Sequence, residues 1–124
     1  MADKVVDASA LAALLFAEET APGVRELLRG HAMHAPSLIE FELANIAWKR
    51  TRRYPHRAAE FELALDGLSN LPVQYRRVDR QAVLRLAVEA SLTPYDASYL
   101  WLARRLGAPL ITLDRKLAAH ADRL

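Results

Sequence analysis

Apolar and polar residues follow two patterns along this chain. Short apolar segments are typical of strands buried in a sheet, and longer stretches with apolar residues at helical spacing are typical of amphipathic helices. Glycine and proline mark several boundaries, since Gly30, Gly67 and Gly107 follow helical stretches and Pro94 begins one. The patterns predict strands at 4–6, 32–35, 73–78 and 110–112, and helices at 8–19, 21–29, 37–53, 56–65, 79–90, 93–106 and 114–124.

This order of elements predicts an α/β fold of three layers, with a central parallel sheet of about four strands and helices on both of its faces. The length of 124 residues suits one domain, and we expect residues 1–124 to form it. Ligands of such folds bind outside the carboxyl ends of the strands. We therefore expect the residues of a binding or catalytic site at that edge of the sheet.

Acidic residues stand close to the ends of the first and last predicted strands. Asp7 follows the first strand directly, and Asp114 follows the last by one residue. Each also suits the N-cap of the helix behind it, where a carboxylate accepts backbone N–H bonds. Asp96 has a similar alternative, because Thr93 and Pro94 ahead of it fit a capping box. Capping and ligand binding both remain open for these acids.

Glu42 is harder to explain as a surface acid. On a helix over 37–53 it lies between Leu38, Ile39 and Ile46, and no cation stands three or four residues away. A carboxylate on an apolar stripe is costly unless it is paired or binds a metal. The stripe could also be partly exposed, which would leave Glu42 an ordinary surface acid.

If the four acids converge, the repulsion between their negative charges must be offset. Two carboxylates about 4 Å apart repel by roughly 4 kcal/mol at an effective dielectric near 20. Protonation, arginine or a divalent cation relieves that repulsion, and oxygen ligands without His or Cys suit Mg²⁺ or Mn²⁺. Such an ion can deliver a water to a phosphodiester.

Composition supports a globular protein with an anionic partner. Hydrophobic residues make up 52% and charged residues 26% of the chain, which excludes disordered and collagen-like classes. The longest apolar run has eight residues, 10–17, where a membrane span needs about 20. Cysteine is absent, so disulfides, thiol nucleophiles and Cys-ligated zinc are excluded. We expect a soluble, cytoplasmic protein.

The charge balance adds a basic surface around the acids. The chain has 17 cations against 15 acids, and 14 of the cations are arginine, which binds phosphate bidentately. Without the four candidate acids, 17 cations face the remaining 11 acids, a balance of +6. An acidic site within a basic rim is what a metal-dependent nuclease needs.

Four segments in order then resemble the PIN-domain family, most of all its VapC-like toxin ribonucleases. They are VVDASAL at 5–11, APSL at 35–38 with ELAN at 42–45, LTPYDASY at 92–99, and LGAPLITLD at 106–114. The resemblance covers nearly the whole chain. It implies a Mg²⁺- or Mn²⁺-dependent endoribonuclease that cleaves RNA with a metal-activated water, as the toxin of a type II toxin–antitoxin module.

The resemblance also implies roles for particular residues. Asp7, Glu42, Asp96 and Asp114 would be the catalytic, metal-binding acids. Ser9 and Thr112 would be supporting hydroxyls, and Asn45 a supporting amide beside Glu42. A homodimer and a cognate antitoxin that occludes the acidic site are implied as well. Relatives often add a fifth edge strand after the last helix, which is not expected here.

Cations near two predicted helix ends are candidates for RNA binding: Lys49, Arg50, Arg52, Arg53, Arg115 and Lys116. Tyr54 is available nearby for stacking on a base. The run at 49–57 could instead be a solvated helix C-terminus whose cations complement the helix dipole.

Two alternatives belong to other functional classes. A receiver-like phospho-acceptor domain would need two adjacent acids after the first strand and a lysine after the last, where this chain has Asp7-Ala8 and Asp114-Arg115. A catalytically silent PIN-fold binding module would keep the fold without activity.

Motifs of other functional classes are absent from the sequence. The four histidines lack metal-ligand spacing, and no P-loop, nucleophile elbow or dinucleotide fingerprint occurs.

Overall fold

A computed structural model describes residues 2–121 of the chain. Its strands are β1 (Asp3–Val6), β2 (Ala32–Pro36), β3 (Val73–Arg76) and β4 (Leu110–Ile111). Its α-helices are α1 (Ala8–Leu15), α2 (Ala21–Leu28), α3 (Ile39–Arg53), α4 (Ala58–Asp66), α5 (Arg80–Ala90), α6 (Pro94–Leu106) and α7 (Arg115–Ala121). Short 3₁₀ helices, Pro55–Arg57 and Gly67–Asn70, flank α4.

The four strands form one parallel sheet in the order β3-β2-β1-β4. Val5 in β1 is in register with His34 in β2 and with Leu110 in β4. Helix α6 packs on β1 and β2, whereas α1 packs on α3. Because parallel crossovers are right-handed, the reversal of strand order after β3 puts the helices that follow on the opposite face. The predicted three-layer fold with a four-stranded parallel sheet is confirmed for the described residues.

The core lies between these layers and holds the central strand in place. Val5, Val6 and Ala35 are fully buried in the sheet, and Leu11 and Leu100 are fully buried in the helices that cover it. A central parallel strand buried on both faces reads as a continuous apolar run, which is how the short β1 was recognisable. Among residues 2–121, no helix is both long and apolar enough to cross a membrane.

Helix α1 ends at Leu15, so the prediction that it reaches residue 19 is wrong. Ala17 has the left-handed φ of 51°, and the N–H of Glu18 donates to the carbonyl of Ala13 at 2.9 Å. This is a Schellman termination, which usually places glycine at the left-handed position. Because alanine occupies it here, no glycine marks the end of this helix in the sequence.

Other predicted boundaries shift by one to two residues. The structure begins α3 at Ile39 rather than 37, because Pro36 continues β2 and is in register with Arg76 of β3. Strand β3 ends at Arg76 rather than 78, and β4 ends at Ile111 rather than 112. The helix predicted at 56–65 begins with the 3₁₀ turn and runs to 66. The predicted final turn at 122–124 lies outside the described residues.

Candidate active site

The site forms at the carboxyl edge of the sheet, where β1 and β4 lie side by side. These two strands are the point at which strand order reverses, which is where ligands of such folds bind. Asp7 follows β1, and Asp114 follows β4 after a short turn. Asp96 comes from the first turn of α6, and Glu42 from the first turn of α3. Four elements therefore deliver the four acids.

Asp7 is buried and held on both carboxylate oxygens. Its Oδ1 accepts hydrogen bonds from Ser9 Oγ at 2.7 Å and from the Ala10 N–H at 3.0 Å, while its Oδ2 accepts one from Thr112 Oγ1. The bond to Ala10 makes Asp7 the N-cap of α1. Burial raises the pKa of Asp7, the three hydrogen bonds oppose that rise, and the charge of Asp114 adds to it.

Ser9 and Thr112 connect the end of β4 to the end of β1. Besides their bonds to Asp7, Ser9 Oγ accepts from the Leu113 N–H at 2.9 Å, and Thr112 Oγ1 accepts from the Asp114 N–H at 3.0 Å. The two hydroxyls thus fix the turn that carries Asp114 relative to Asp7.

Asp114 is exposed and caps α7. Its Oδ1 accepts from the N–H groups of Lys116 at 2.9 Å and Leu117 at 3.1 Å. Those bonds occupy one carboxylate oxygen. Among the described residues no protein donor contacts Oδ2, which leaves that atom available to a ligand.

Asp96 has the freest carboxylate of the four. Thr93 caps α6 by accepting the Asp96 N–H at 3.2 Å. The reciprocal bond of a capping box, from the acid back to the N-cap, is not formed within residues 2–121. Burial raises the pKa of Asp96, and the charges of Asp114 and Asp7 raise it further, while Lys116 opposes them. Its carboxylate therefore faces other acids and has no protein hydrogen-bond donor in the described structure.

Glu42 is half-buried, and its partner is Tyr99 of α6. The Tyr99 hydroxyl donates a hydrogen bond to Glu42 Oε1. Burial raises the pKa of Glu42, the bond from Tyr99 opposes the rise, and the charges of Asp96 and Asp7 add to it. Sequence reasoning gave Tyr99 no role, although its position three residues after Asp96 put both on one face of a helix.

The charge of Asp114 thus acts on Asp7 and Asp96, and the charges of Asp7 and Asp96 act on Glu42. The four acids therefore form one electrostatic cluster. Even so, no three His, Cys, Asp or Glu side chains in the described range are already arranged to hold one ion. The two observations are compatible with Mg²⁺, which takes few carboxylates directly and keeps several waters. A donor set made only of carboxylate oxygens fits a hard divalent cation better than it fits zinc.

The remaining predicted residues divide by location. Asn45 is exposed, and the hydrogen bond to Glu42 comes from Tyr99 instead. Arg50 forms a salt bridge with Glu18, with 2.8 Å between Arg50 Nη2 and Glu18 Oε1. Lys116 lies near the acids, since its charge lowers the pKa of Asp96.

The other candidate cations are exposed. Arg115 directly follows Asp114 at the start of α7. Lys49, Arg52 and Arg53 lie seven to eleven residues beyond Glu42 on α3, about 10–16 Å along the helix axis. Any RNA contact they make is therefore away from the acid cluster.

Comparison with known proteins agrees with this geometry. A family model described as PIN domain matches residues 4–123. Ribonuclease VapC3 of Pyrobaculum aerophilum is 39% identical over 120 residues, covering 92% of this chain and 91% of that protein. Exonuclease VapC9 of the same organism is 38% identical over 117 residues, covering 93% and 83%. The crystal structure of PAE2754, also from P. aerophilum, superposes with a TM-score of 0.77 at 33% identity, covering 96% of this chain and 84% of that one.

Proposed function

Because the chain belongs to the PIN-domain family, and within it to the VapC group, we propose that it is a Mg²⁺- or Mn²⁺-dependent endoribonuclease and the toxin of a type II toxin–antitoxin module. PIN-domain nucleases generally depend on divalent metals. The observation that carries the proposal is the convergence of Asp7, Glu42, Asp96 and Asp114 at the edge where ligands of such folds bind. Burial, and then the charges of neighbouring acids, raise the pKa values of Asp7, Glu42 and Asp96.

The cation would be held by oxygens that have no protein donor in the described part of the chain. These are both carboxylate oxygens of Asp96, Oδ2 of Asp114 and Oε2 of Glu42. When bound, a divalent cation supplies positive charge to the scissile phosphate and lowers the pKa of a water.

The protein supplies orientation, proton transfer and further positive charge. Asp7 is fixed by hydrogen bonds from Ser9, Ala10 and Thr112. The lone pair of its Oδ2 that stays free therefore points in one fixed direction. The Asp96 carboxylate has two oxygens without a protein donor among residues 2–121, so one can hold the cation while the other accepts a proton from the attacking water. Lys116, next to Asp96, is placed to balance phosphate charge.

The cleavage mode needs a test of its own, because one relative is named an exonuclease and another a ribonuclease. Asp114 is exposed and Asp96 is only partly buried, so an RNA strand can approach the acids without a free end entering first. A circular RNA has no ends, and we expect it to be cut in the presence of Mg²⁺ or Mn²⁺. Degradation of the linear form alone would show an exonuclease. Asp7→Asn serves as the inactive control.

The toxin proposal predicts that RNA is the target in living cells. Expression of the wild type should arrest growth and leave new RNA ends, which mapping of cellular RNA would locate. Expression of Asp7→Asn should do neither. Since that RNA is cytoplasmic, the proposal places the protein there. Co-expression of the antitoxin, which we propose occludes the acidic cluster, should restore growth.

A homodimer is supported by an exposed apolar stripe on α3. Phe41 and Trp48 are seven residues apart on one side of the helix and are 81% and 53% exposed. Exposed apolar surface of this kind commonly marks a contact with another protein. Light scattering should give twice the monomer mass for the wild type and the monomer mass for Phe41→Glu. A monomeric wild type would exclude this part of the proposal.

A further inference from the structure

Helix α6 carries two groups that face the acid cluster. Asp96 is in its first turn, and Tyr99 follows three residues later on the same face. The Tyr99 ring is 1% exposed, and its hydroxyl reaches across to Glu42 Oε1 on α3. One helix therefore supplies a candidate ligand and also the donor that holds a second one.

The four acids differ in how the protein holds them. Asp7 is tied by three hydrogen bonds, and Asp114 by two backbone N–H groups. In the described structure the Glu42 carboxylate has a single hydrogen-bond partner, the hydroxyl of Tyr99. Glutamate also has one more rotatable bond than aspartate, so more freedom is lost when its carboxylate is fixed. The direction of Glu42 thus depends on one side chain.

Tyr99 is suited to this task. Its ring is immobilised by packing, which fixes the position of the hydroxyl oxygen. Its hydroxyl is the donor of the bond to Glu42, because the oxygens of an ionised carboxylate only accept hydrogen bonds. The bond engages Oε1 and leaves Oε2 without a protein donor among residues 2–121.

We infer that Tyr99 is a positioning residue for the metal site, one that holds Glu42 so that a single oxygen, Oε2, is presented to the divalent cation. The inference rests on the proposed function and assigns a residue outside the four acids. Residues that orient metal ligands typically change metal affinity or activity 10–100-fold when mutated.

The test is Mn²⁺ binding by calorimetry to the full chain, with Tyr99→Phe and the matched control Tyr75→Phe. Tyr75 is 40% exposed and lies on the edge strand β3, which β2 separates from β1. We expect Tyr99→Phe to raise the Kd for Mn²⁺ about 10-fold and Tyr75→Phe to leave it unchanged. RNA cleavage by Tyr99→Phe should return when Mn²⁺ is raised in proportion.

A double-mutant cycle separates positioning from general packing. If Tyr99 acts through Glu42, adding Tyr99→Phe to Glu42→Gln should weaken Mn²⁺ binding no further. The same weakening in both backgrounds would overturn the inference, and so would an unchanged Kd in Tyr99→Phe. Tighter Mn²⁺ binding would also overturn it, because Tyr99 would then withhold the carboxylate. Absence of Mn²⁺ binding by the wild type would instead defeat the proposed function, and the inference with it.

A measurement on the wild type covers the case in which Tyr99→Phe does not fold. With tyrosine labelled at ¹³Cζ, titration of Mg²⁺ should move the Tyr99 resonance with the midpoint of metal binding and leave that of Tyr75 in place. A Tyr99 resonance that does not respond to Mg²⁺ would contradict the inference.

Discussion

Asp7 and Asp114 each cap a helix and also belong to the acid cluster, so capping and ligand binding do not exclude each other. A carboxylate can accept about four hydrogen bonds, and capping uses one on Asp7 and two on Asp114. The sequence could predict both interpretations but could not choose, because the choice depends on which lone pairs the fold leaves free.

Asp96 offers the cleanest separation of chemistry from folding. Thr93 caps α6 through its own hydroxyl and would continue to do so in Asp96→Asn. We expect the cleavage rate to fall about 100-fold or more, which corresponds to about 2.7 kcal/mol of transition-state stabilisation. The free energy of unfolding in chelator should stay equal or increase. Wild-type cleavage by Asp96→Asn would remove this residue from the site.

Glu42 and Glu40 form a matched pair on α3. Glu42 lies among the acids, whereas Glu40 is exposed and about 160° away around the helix. Glu42→Gln should abolish metal-dependent cleavage, because the amide carries no charge to balance a hard cation. Glu40→Gln should be nearly silent, within about 0.5 kcal/mol in stability. Single-turnover cleavage of one labelled RNA compares the two, and the reverse result would show that Glu40 is the ligand.

At the scale of elements, the sequence predicted where helices and strands lie better than where they end. Strand β1 was recognisable from its apolar residues, and α6 from Thr93 and Pro94. The end of α1 was not, because Ala17 is in a left-handed conformation without glycine. Tyr99 was equally hidden, since its role depends on α6 and α3 meeting across the sheet edge.

Ala17 makes the end of α1 testable. A left-handed conformation costs a residue with a Cβ about 1–2 kcal/mol, while glycine adopts it freely but loses more entropy on folding. Ala17→Gly should therefore raise the free energy of unfolding, by up to about 1 kcal/mol. Ala13→Gly, fully buried within the same helix, should lower it. Denaturant unfolding measures both, and a loss of stability in Ala17→Gly would contradict the observed termination.

For the whole molecule, the acid cluster makes stability depend on pH. The pKa values of Asp7, Glu42 and Asp96 are raised in the folded state, so the native protein binds more protons than the unfolded chain above a pH of about 4. Stability contributed at these groups therefore falls as pH rises through their raised pKa values. In chelator, the advantage of Asp96→Asn over wild type should grow with pH over this range. A pH-independent difference in Tm would contradict the shift at Asp96.

A shared metal site is the central claim, and it rests on a cluster assembled by four separate elements. Strand order could indicate that Asp7 and Asp114 would meet, because parallel strands bring their carboxyl ends to one edge. Glu42 and Asp96 were added to that set by the resemblance to PIN domains. The folded structure was needed to show three further details. They are which carboxylate lone pairs are free, how Ser9 and Thr112 hold Asp7 by hydrogen bonds, and that Tyr99 donates a hydrogen bond to Glu42. These details decide how a cation would be held.

Thermal unfolding with Mg²⁺ or Mn²⁺ against chelator tests that claim most directly. A ligand that binds only the folded state adds RT ln(1 + [L]/Kd) to stability, about 2.7 kcal/mol at a hundred times Kd. We predict a higher Tm with the cation for the wild type and for Glu40→Gln, and a smaller increase for Asp7→Asn, Glu42→Gln, Asp96→Asn and Asp114→Asn. Identical melting curves with cation and with chelator for the wild type would contradict a shared metal site.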